Sequence, residues 1–228
     1  MGTRAAIVRG AAEAFRRRGY GGTTLSDVEA ATGVTKGALY FHFDSKESLA
    51  LAVIEAQHES SIALGQRLLG GATPGLRALV TMSFELARQV RFDPVVAAGI
   101  RLTMESSNLS VPVTGPYEDW IAVCDALLRQ GIVDGDVSVD VDVAAAAHFI
   151  SPAFTGVQIV SEVLTGREDL FQRVEEMWML LLPALVPAGR RDDLRRLPAE
   201  VRRAVPEGAG AWSGGPEGSG AGARRAQG

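Results

Sequence analysis

Four residues within a short stretch, Lys36, Gly37, Tyr40 and Lys46, have the types and spacing to read a polyanion. On a helix, Lys36 and Tyr40 stand four apart and share a face, while Gly37 beside them lacks a side chain and permits close approach to a phosphate or a base edge. Lys46 sits in the first turn of the next predicted helix. A cation there opposes the helix macrodipole at a cost of about 0.3 kcal/mol or more. A phosphate at that helix end would offset the cost, although an ordinary solvated lysine is an equal alternative. Such a face suits a DNA groove.

The elements that must carry this face are legible around it. Thr3 to Arg18 has an apolar stripe of Ile7, Ala11, Ala14 and Phe15 at helical period, and Gly19-Tyr20-Gly21-Gly22 stops it. Thr24 is an N-cap whose partner Asp27 completes a capping-box pattern, and Leu25, Val28 and Ala31 are predicted to face inward until Gly33 ends the helix. Thr35 caps the next helix, Lys36 to Phe43, with Leu39 and Phe43 on its inner side. Asp44 with Glu47 reads as a third capping pair opening a long helix through Leu49, Val53 and Leu64 to Gly70-Gly71. The apolar stripe of that helix includes position 57, so Gln57 is either a satisfied core amide or a ligand contact.

Further helices are predicted over Gly75 to Arg91, Pro94 to Ser106, Pro116 to Gln130, Asp140 to Leu164 and Glu168 to Leu185. Pro94 and Pro116 lie where a first turn tolerates proline. Pro152 falls inside the Asp140 to Leu164 pattern and is predicted to bend or divide it. From 188 onward the composition turns to charge, then Gly, Ala and Ser, and a disordered tail over 188–228 is expected, with Arg224 and Arg225 in it.

A chain of 228 residues with 46% hydrophobic content can bury a sizeable core. Its net charge of -4 argues against indiscriminate coating of nucleic acid. The first 49 residues nevertheless carry seven Lys and Arg against five Asp and Glu, so the acidity lies elsewhere. One cysteine, Cys124, makes no internal disulfide and fits a reducing compartment. With no signal-peptide pattern, and no apolar run of the ~18 residues a membrane span needs, a cytoplasmic protein without membrane contact is expected. His42, His58 and His148 are dispersed, and no nucleophile pair, phosphate loop or metal-ligand spacing occurs. The chain is therefore expected to be no enzyme, and to need no metal and no cofactor.

TTLSDVEAATGVTKGALYFHFDSKESL resembles the DNA-binding domain of the TetR family. VTKGALYFHF followed by SKE is especially similar to its γ-butyrolactone receptor branch, the autoregulator receptors of secondary metabolism. The likeness is dense over Ala5 to Gln57 and continues thinly through DPVVAAGIRL, PYEDW and FTGVQIVSE. It implies an all-α fold: a three-helix helix-turn-helix domain, 1–46, joined by a long helix to a helical ligand-binding and dimerisation domain, 47–187. On matching positions, Thr24, Thr35, Lys36, Gly37, Tyr40, His42 and Lys46 would contact DNA. Lys36 would reach a base edge, while Tyr40, His42 and Lys46 would meet phosphates.

The resemblance places Trp120 over a lactone. An indole offers a broad apolar face and one N–H donor for a carbonyl, though a core aromatic is the alternative. Tyr117, Gln57, Thr155 and Gln158 are the polar candidates beside it. Met82, Phe84, Leu86, Leu102, Met104 and Phe154 are weaker wall candidates. The implied function is a repressor that binds a palindromic operator as a homodimer and is released by a butyrolactone-like inducer. The alternative is a TetR-like repressor or pseudo-receptor that senses an antibiotic or another apolar metabolite.

Overall fold

A computed structural model describes residues 3–208, whose regular structure is all helical, without a strand. The first helix, α1 (Thr3–Gly22), is broken at Gly19 by a left-handed φ of 68°, so the predicted stop is a kink and the last turn continues at a new angle. Then follow α2 (Leu25–Thr32), α3 (Lys36–His42) and the long α4 (Lys46–Leu69). Thr24 and Asp27 form a reciprocal capping box on α2, Gly33 ends it in the left-handed region, and Thr35 caps α3.

Two local expectations fail. Ala31 is exposed, while Val28 alone of α2 is fully buried. The cap of α4 is Ser45, paired reciprocally with Ser48, in place of Asp44 and Glu47. Glu47 instead accepts hydrogen bonds from the backbone and hydroxyl of Ser110, so its carboxylate is engaged away from the cap.

The regulatory half is built from α5 (Gly75–Phe92), α6 (Pro94–Met104), α7 (Gly115–Val133), α8 (Val143–Thr165) and α9 (Leu170–Leu185). Nearly every side chain of α5 is buried, which makes it the central helix. Pro152 does not divide α8. By length and composition α8 would be apolar enough to cross a membrane, mean hydropathy 1.4, contrary to the expectation that no run reaches that length. Its core-facing side, with Ala147, Ile150, Gln158 and Ser161, is nonetheless packed in the domain.

The expected tail begins later than predicted. Short helices α10 (Arg191–Leu194) and α11 (Leu197–Ala204) follow α9, and Leu197, Val201 and Val205 are buried in the main core. Ion pairs Arg77 with Glu200 and Arg202 with Glu175 hold α11 against α5 and α9. Arg224 and Arg225 lie outside the described residues.

Two hydrophobic cores result. One joins Ile7, Phe15, Val28, Leu39, Leu49 and Val53, and it also takes in Ala98 and Leu102 of α6. The larger lies between α5, α7, α8, α9 and α11. Helix α6 is thus the piece of the regulatory half that is packed into the core of the N-terminal helices.

Candidate functional site

The N-terminal face is organised by its caps. Leu39 and Phe43 are buried beneath α3, which turns Lys36, Gly37 and Tyr40 outward. Lys36 Nζ stands 5.8 Å from the centroid of the Tyr40 ring, so cation and aromatic form one exposed surface. A Cβ built at Gly37 would meet nothing within 4 Å, so no internal packing demands glycine there. The space it leaves is on the outside, where a groove wall would approach.

The other predicted DNA contacts differ among themselves. Thr24 is committed to its capping box, with its hydroxyl 2.8 Å from Asp27 Oδ2. Thr35 accepts from Ala38 N at 3.2 Å and remains exposed. His42 closes α3 half-buried, edge-on to Phe41. Lys46 is not a free cation. Its Nζ donates to Tyr20 O at 2.9 Å and lies 4.3 Å from the Tyr20 ring centroid, so a carbonyl and a ring of α1 are its counter-groups within the protein. Phe41, 85% exposed, is an outward aromatic of α3 that pattern reading passed over. Its signal was the unbroken aromatic run Tyr40-Phe41-His42-Phe43, which a single buried face cannot absorb.

All five predicted ligand residues converge on one cavity. Its walls are Gln57 from α4; Met82, Ser83 and Leu86 from α5; Ile100 and Thr103 from α6; Pro116, Tyr117, Trp120 and Cys124 from α7; and Ile150, Ser151, Phe154, Thr155 and Gln158 from α8. These walls bound a partly open hollow of about 640 Å³, a figure that includes space continuous with solvent. Of the weaker candidates, Met82, Leu86 and Phe154 line it. Phe84 and Leu102 belong to the two cores, and Met104 is exposed. Ser83, Ile100, Thr103, Cys124, Ile150 and Ser151 were missed, because periodicity shows that a face is buried but not what it faces.

Several polar groups of the cavity are held by the protein itself. Gln57, 2% exposed, donates from Nε2 to Ser61 Oγ at 2.9 Å, so it is both a satisfied core amide and a wall residue. Burial raises the Tyr117 phenol above its usual range, against a hydrogen bond with Thr155 that acts the other way. The phenol therefore stays neutral and able to donate. Burial pushes the Cys124 thiol up to about 12, which leaves it inert. An apolar cavity with a few fixed polar groups is suited to a small, mostly hydrocarbon ligand. Among the described residues no group of three or more His, Cys, Asp or Glu is placed to hold a metal.

Cavity and N-terminal face meet through α6. A Cβ at Gly99 would lie 2.4 Å from Gln57 Cβ, so α6 and α4 touch backbone to side chain at the cavity wall. On the other side of α6, Arg101 Nε donates to Glu105 at 2.8 Å and Arg101 Nη1 to Arg16 O at 2.9 Å. Glu105 Oε2 accepts from Tyr20 N at 2.7 Å. These groups fill the space above the Gly19 kink, where a Cβ would come within 2.7 Å of the Arg101 guanidinium. Tyr20 in turn receives Lys46 at the start of α4.

Comparison with known proteins matches two segments of the chain. Residues 7–53 match the family described as bacterial regulatory proteins, tetR family, and residues 73–187 match the tetracyclin repressor-like C-terminal domain. The A-factor receptor protein of Streptomyces griseus is 37% identical over 183 residues, which cover 80% of this chain and 63% of that protein. The chain thus spans less than two thirds of that relative. The transcriptional repressor KstR2 of Rhodococcus jostii is 31% identical, over 65% of this chain and 74% of its own. A solved gamma-butyrolactone receptor, ArpA-like, superposes with a TM-score of 0.76 at 37% identity, covering 88% of this chain and 96% of that one. CprB of Streptomyces coelicolor, solved in complex with its operator, gives a TM-score of 0.75 at 38% identity over the same shares. With a helix-turn-helix half and a repressor-like half matched in this order, the chain belongs to the TetR family of bacterial regulatory proteins.

Proposed function

We propose that the protein is a transcriptional repressor that binds a palindromic operator as a homodimer and is released by a small γ-butyrolactone-type molecule entering beneath Trp120. The observation that carries this reading is the convergence of Gln57, Tyr117, Trp120, Thr155 and Gln158 on a cavity whose α4 and α6 walls also hold the N-terminal helices. Similarity to the A-factor receptor protein and to gamma-butyrolactone receptors supports the ligand class. The operator complex of CprB supports the DNA partner. Residues 1–46 serve as the reading head and 47–187 as the ligand-binding and dimerisation part. A regulator of this type works in the cytoplasm and performs no catalysis.

The dimer surface is read from apolar side chains left uncovered. Phe149, Val160, Val163 and Leu164 on α8 and Met179 and Leu180 on α9 are exposed and large. A second copy packed against them buries both apolar faces and pairs two reading heads, as a palindrome requires.

In the unliganded dimer, Lys36, Gly37 and Tyr40 of each head face the major groove, with Thr35 and His42 at the phosphates. A ligand ring seated beneath Trp120 presses on the α4, α6 and α7 walls and parts α7 from α4 and α6. Displacing α6 at Ile100 and Thr103 moves Ala98 and Leu102 in the head's core and the Arg101–Glu105 clasp on Tyr20. The head then turns, and the two copies no longer fit adjacent grooves. A hundredfold loss of operator affinity requires the ligand to favour the released state by about 2.7 kcal/mol, within the usual range of coupling. Fluorescence anisotropy of labelled promoter DNA, titrated first with protein and then with a synthetic 2-alkanoyl-γ-butyrolactone, tests the reading. Specific binding reversed by the lactone supports it, and binding indifferent to the lactone refutes the ligand class.

A further inference from the structure

Gln158 is 1% exposed and lines two spaces at once, the Trp120 cavity and a surface groove between α1, α6 and α8. Its amide is held at one end only. Oε1 accepts from Arg167 Nη2 at 3.1 Å, whereas Nε2 is buried without a partner. A guanidinium can only donate, so the oxygen must face Arg167 and the two N–H donors must face away from it. Three of the cavity hydroxyls are committed in the opposite sense. Ser83, Thr103 and Thr155 donate to carbonyls four residues earlier in their own helices, at 3.1, 2.9 and 3.1 Å, and offer the cavity lone pairs.

Arg167 is placed with care. Among the described residues it is the non-glycine residue with positive φ, 69°, a conformation that costs an ordinary side chain about 1 kcal/mol or more. It directly follows Gly166, the left-handed cap of α8, and this pair of turns folds the arginine back under the bundle. There Nη1 donates to Val90 O at 3.2 Å near the end of α5, and Nε lies 3.1 Å from Glu162 Oε2, close enough for an ion pair but not aligned as a hydrogen bond. Arg16, Arg101 and Glu105 face the same groove. The guanidinium is therefore fixed between α5 and α8, with an Nη2 N–H directed to Gln158.

We propose that Arg167 is a positioning residue for the ligand site: by holding Gln158 Oε1 it aims the unpartnered Nε2 donors into the Trp120 cavity. The site then selects ligands that present a hydrogen-bond acceptor there, a ketone or ester carbonyl, over ligands that bring a donor or a hydrocarbon. This rests on the reading of the cavity as the effector site. It adds a residue outside the cavity wall as the origin of the selectivity. A buried donor left unpaired in the complex weakens binding by about tenfold.

The test is a double-mutant cycle read by calorimetry with 2-hexanoyl-γ-butyrolactone. Gln158→Met removes the donors, and Arg167→Met removes the guanidinium while keeping an apolar stem. Arg167→Met is expected to weaken the lactone about tenfold in the native background and to change it less than twofold in the Gln158→Met background, because Arg167 acts through Gln158. An equal loss in both backgrounds, or none in either, overturns the proposal, and a loss of thermal stability alone would mark a merely structural role. A second arm needs no ligand. In protein labelled with 15N-glutamine, nuclear Overhauser contacts from the Gln158 Nε2 protons to the rings of Tyr117, Trp120 or Phe154 are expected, and their loss in Arg167→Met. Contacts to Glu162 instead would refute the orientation even if no lactone binds, whereas failure of the native protein to bind lactone with these contacts present would refute only the effector class.

Discussion

The reading head and the ligand cavity handle polar groups in opposite ways. In the head, Thr24, Thr35 and Ser45 satisfy helix ends within three residues of themselves, and Lys36 and Tyr40 are left outward for a partner that is itself polar. In the cavity, polar groups come from five helices far apart in sequence, and the two amides are held first by the protein, Gln57 by Ser61 and Gln158 by Arg167. An exposed face is cheap to build from local signals, and it can be read from them. A buried polar site exists only after tertiary packing, which supplies both its walls and its partners.

If the two regions are separable in function, substitutions in each should affect one measurement and spare the other. Trp120→Ala is expected to weaken lactone binding about a hundredfold by removing the broad apolar cover, while operator affinity stays within about twofold. Calorimetry and mobility shift on the same variant check it. Lys36→Ala is expected to weaken operator binding about thirtyfold and leave lactone affinity unchanged. Glu105→Gln should blur the separation, since the clasp on Tyr20 joins the two regions. Both separate affinities should survive, with the lactone-induced loss of operator affinity reduced about fivefold.

Lys46 sharpens the boundary of the reading face. Its ammonium is held by Tyr20, so Lys46→Met should lower stability by about 1 kcal/mol and leave the salt dependence of operator binding unaltered. A true phosphate contact would instead reduce the salt slope by about 1. The smallest effect concerns the turn that places Arg167. Hydrogen bonds from Ser161 first, then from Thr165 and Arg173, hold the Asp169 carboxyl down at about 2, below its ordinary 3.8. Depression in the folded state stabilises it above the ordinary value, and this contribution is lost as pH falls through about 2. Melting temperatures between pH 5 and 2 should therefore fall more steeply for the native protein than for Asp169→Asn.

How much of this was legible follows the same division. Capping chemistry placed α2 and α3 correctly because Thr24, Asp27, Gly33 and Thr35 act on their own helices. The same reasoning chose Asp44 over Ser45, since Glu47 is drawn away by Ser110, more than sixty residues later. The dipole argument for Lys46 could not foresee that the carbonyl and ring of Tyr20 would stand beside its ammonium. Gln57 and Trp120 were found as polar or aromatic residues on apolar stripes, yet Ser83, Thr103 and Ser151 carried no mark distinguishing them from ordinary helix residues. The α11 helix was legible and missed: Leu197, Val201 and Val205 repeat at four, but the surrounding arginines and the Gly-rich composition beyond them obscured the stripe.

The central claim is that occupation of the Trp120 cavity changes the separation of two paired heads. Electron double resonance between nitroxides on Ser26→Cys of both copies measures that separation directly. Ser26 is exposed on α2, and native Cys124, buried with a thiol pushed up to about 12, will not label. The account predicts one distance population for the free dimer, matching the operator-bound one, and a shift of several ångströms on saturation with 2-hexanoyl-γ-butyrolactone, absent in Trp120→Ala. An unchanged distance at saturating lactone, with DNA still released, would contradict it.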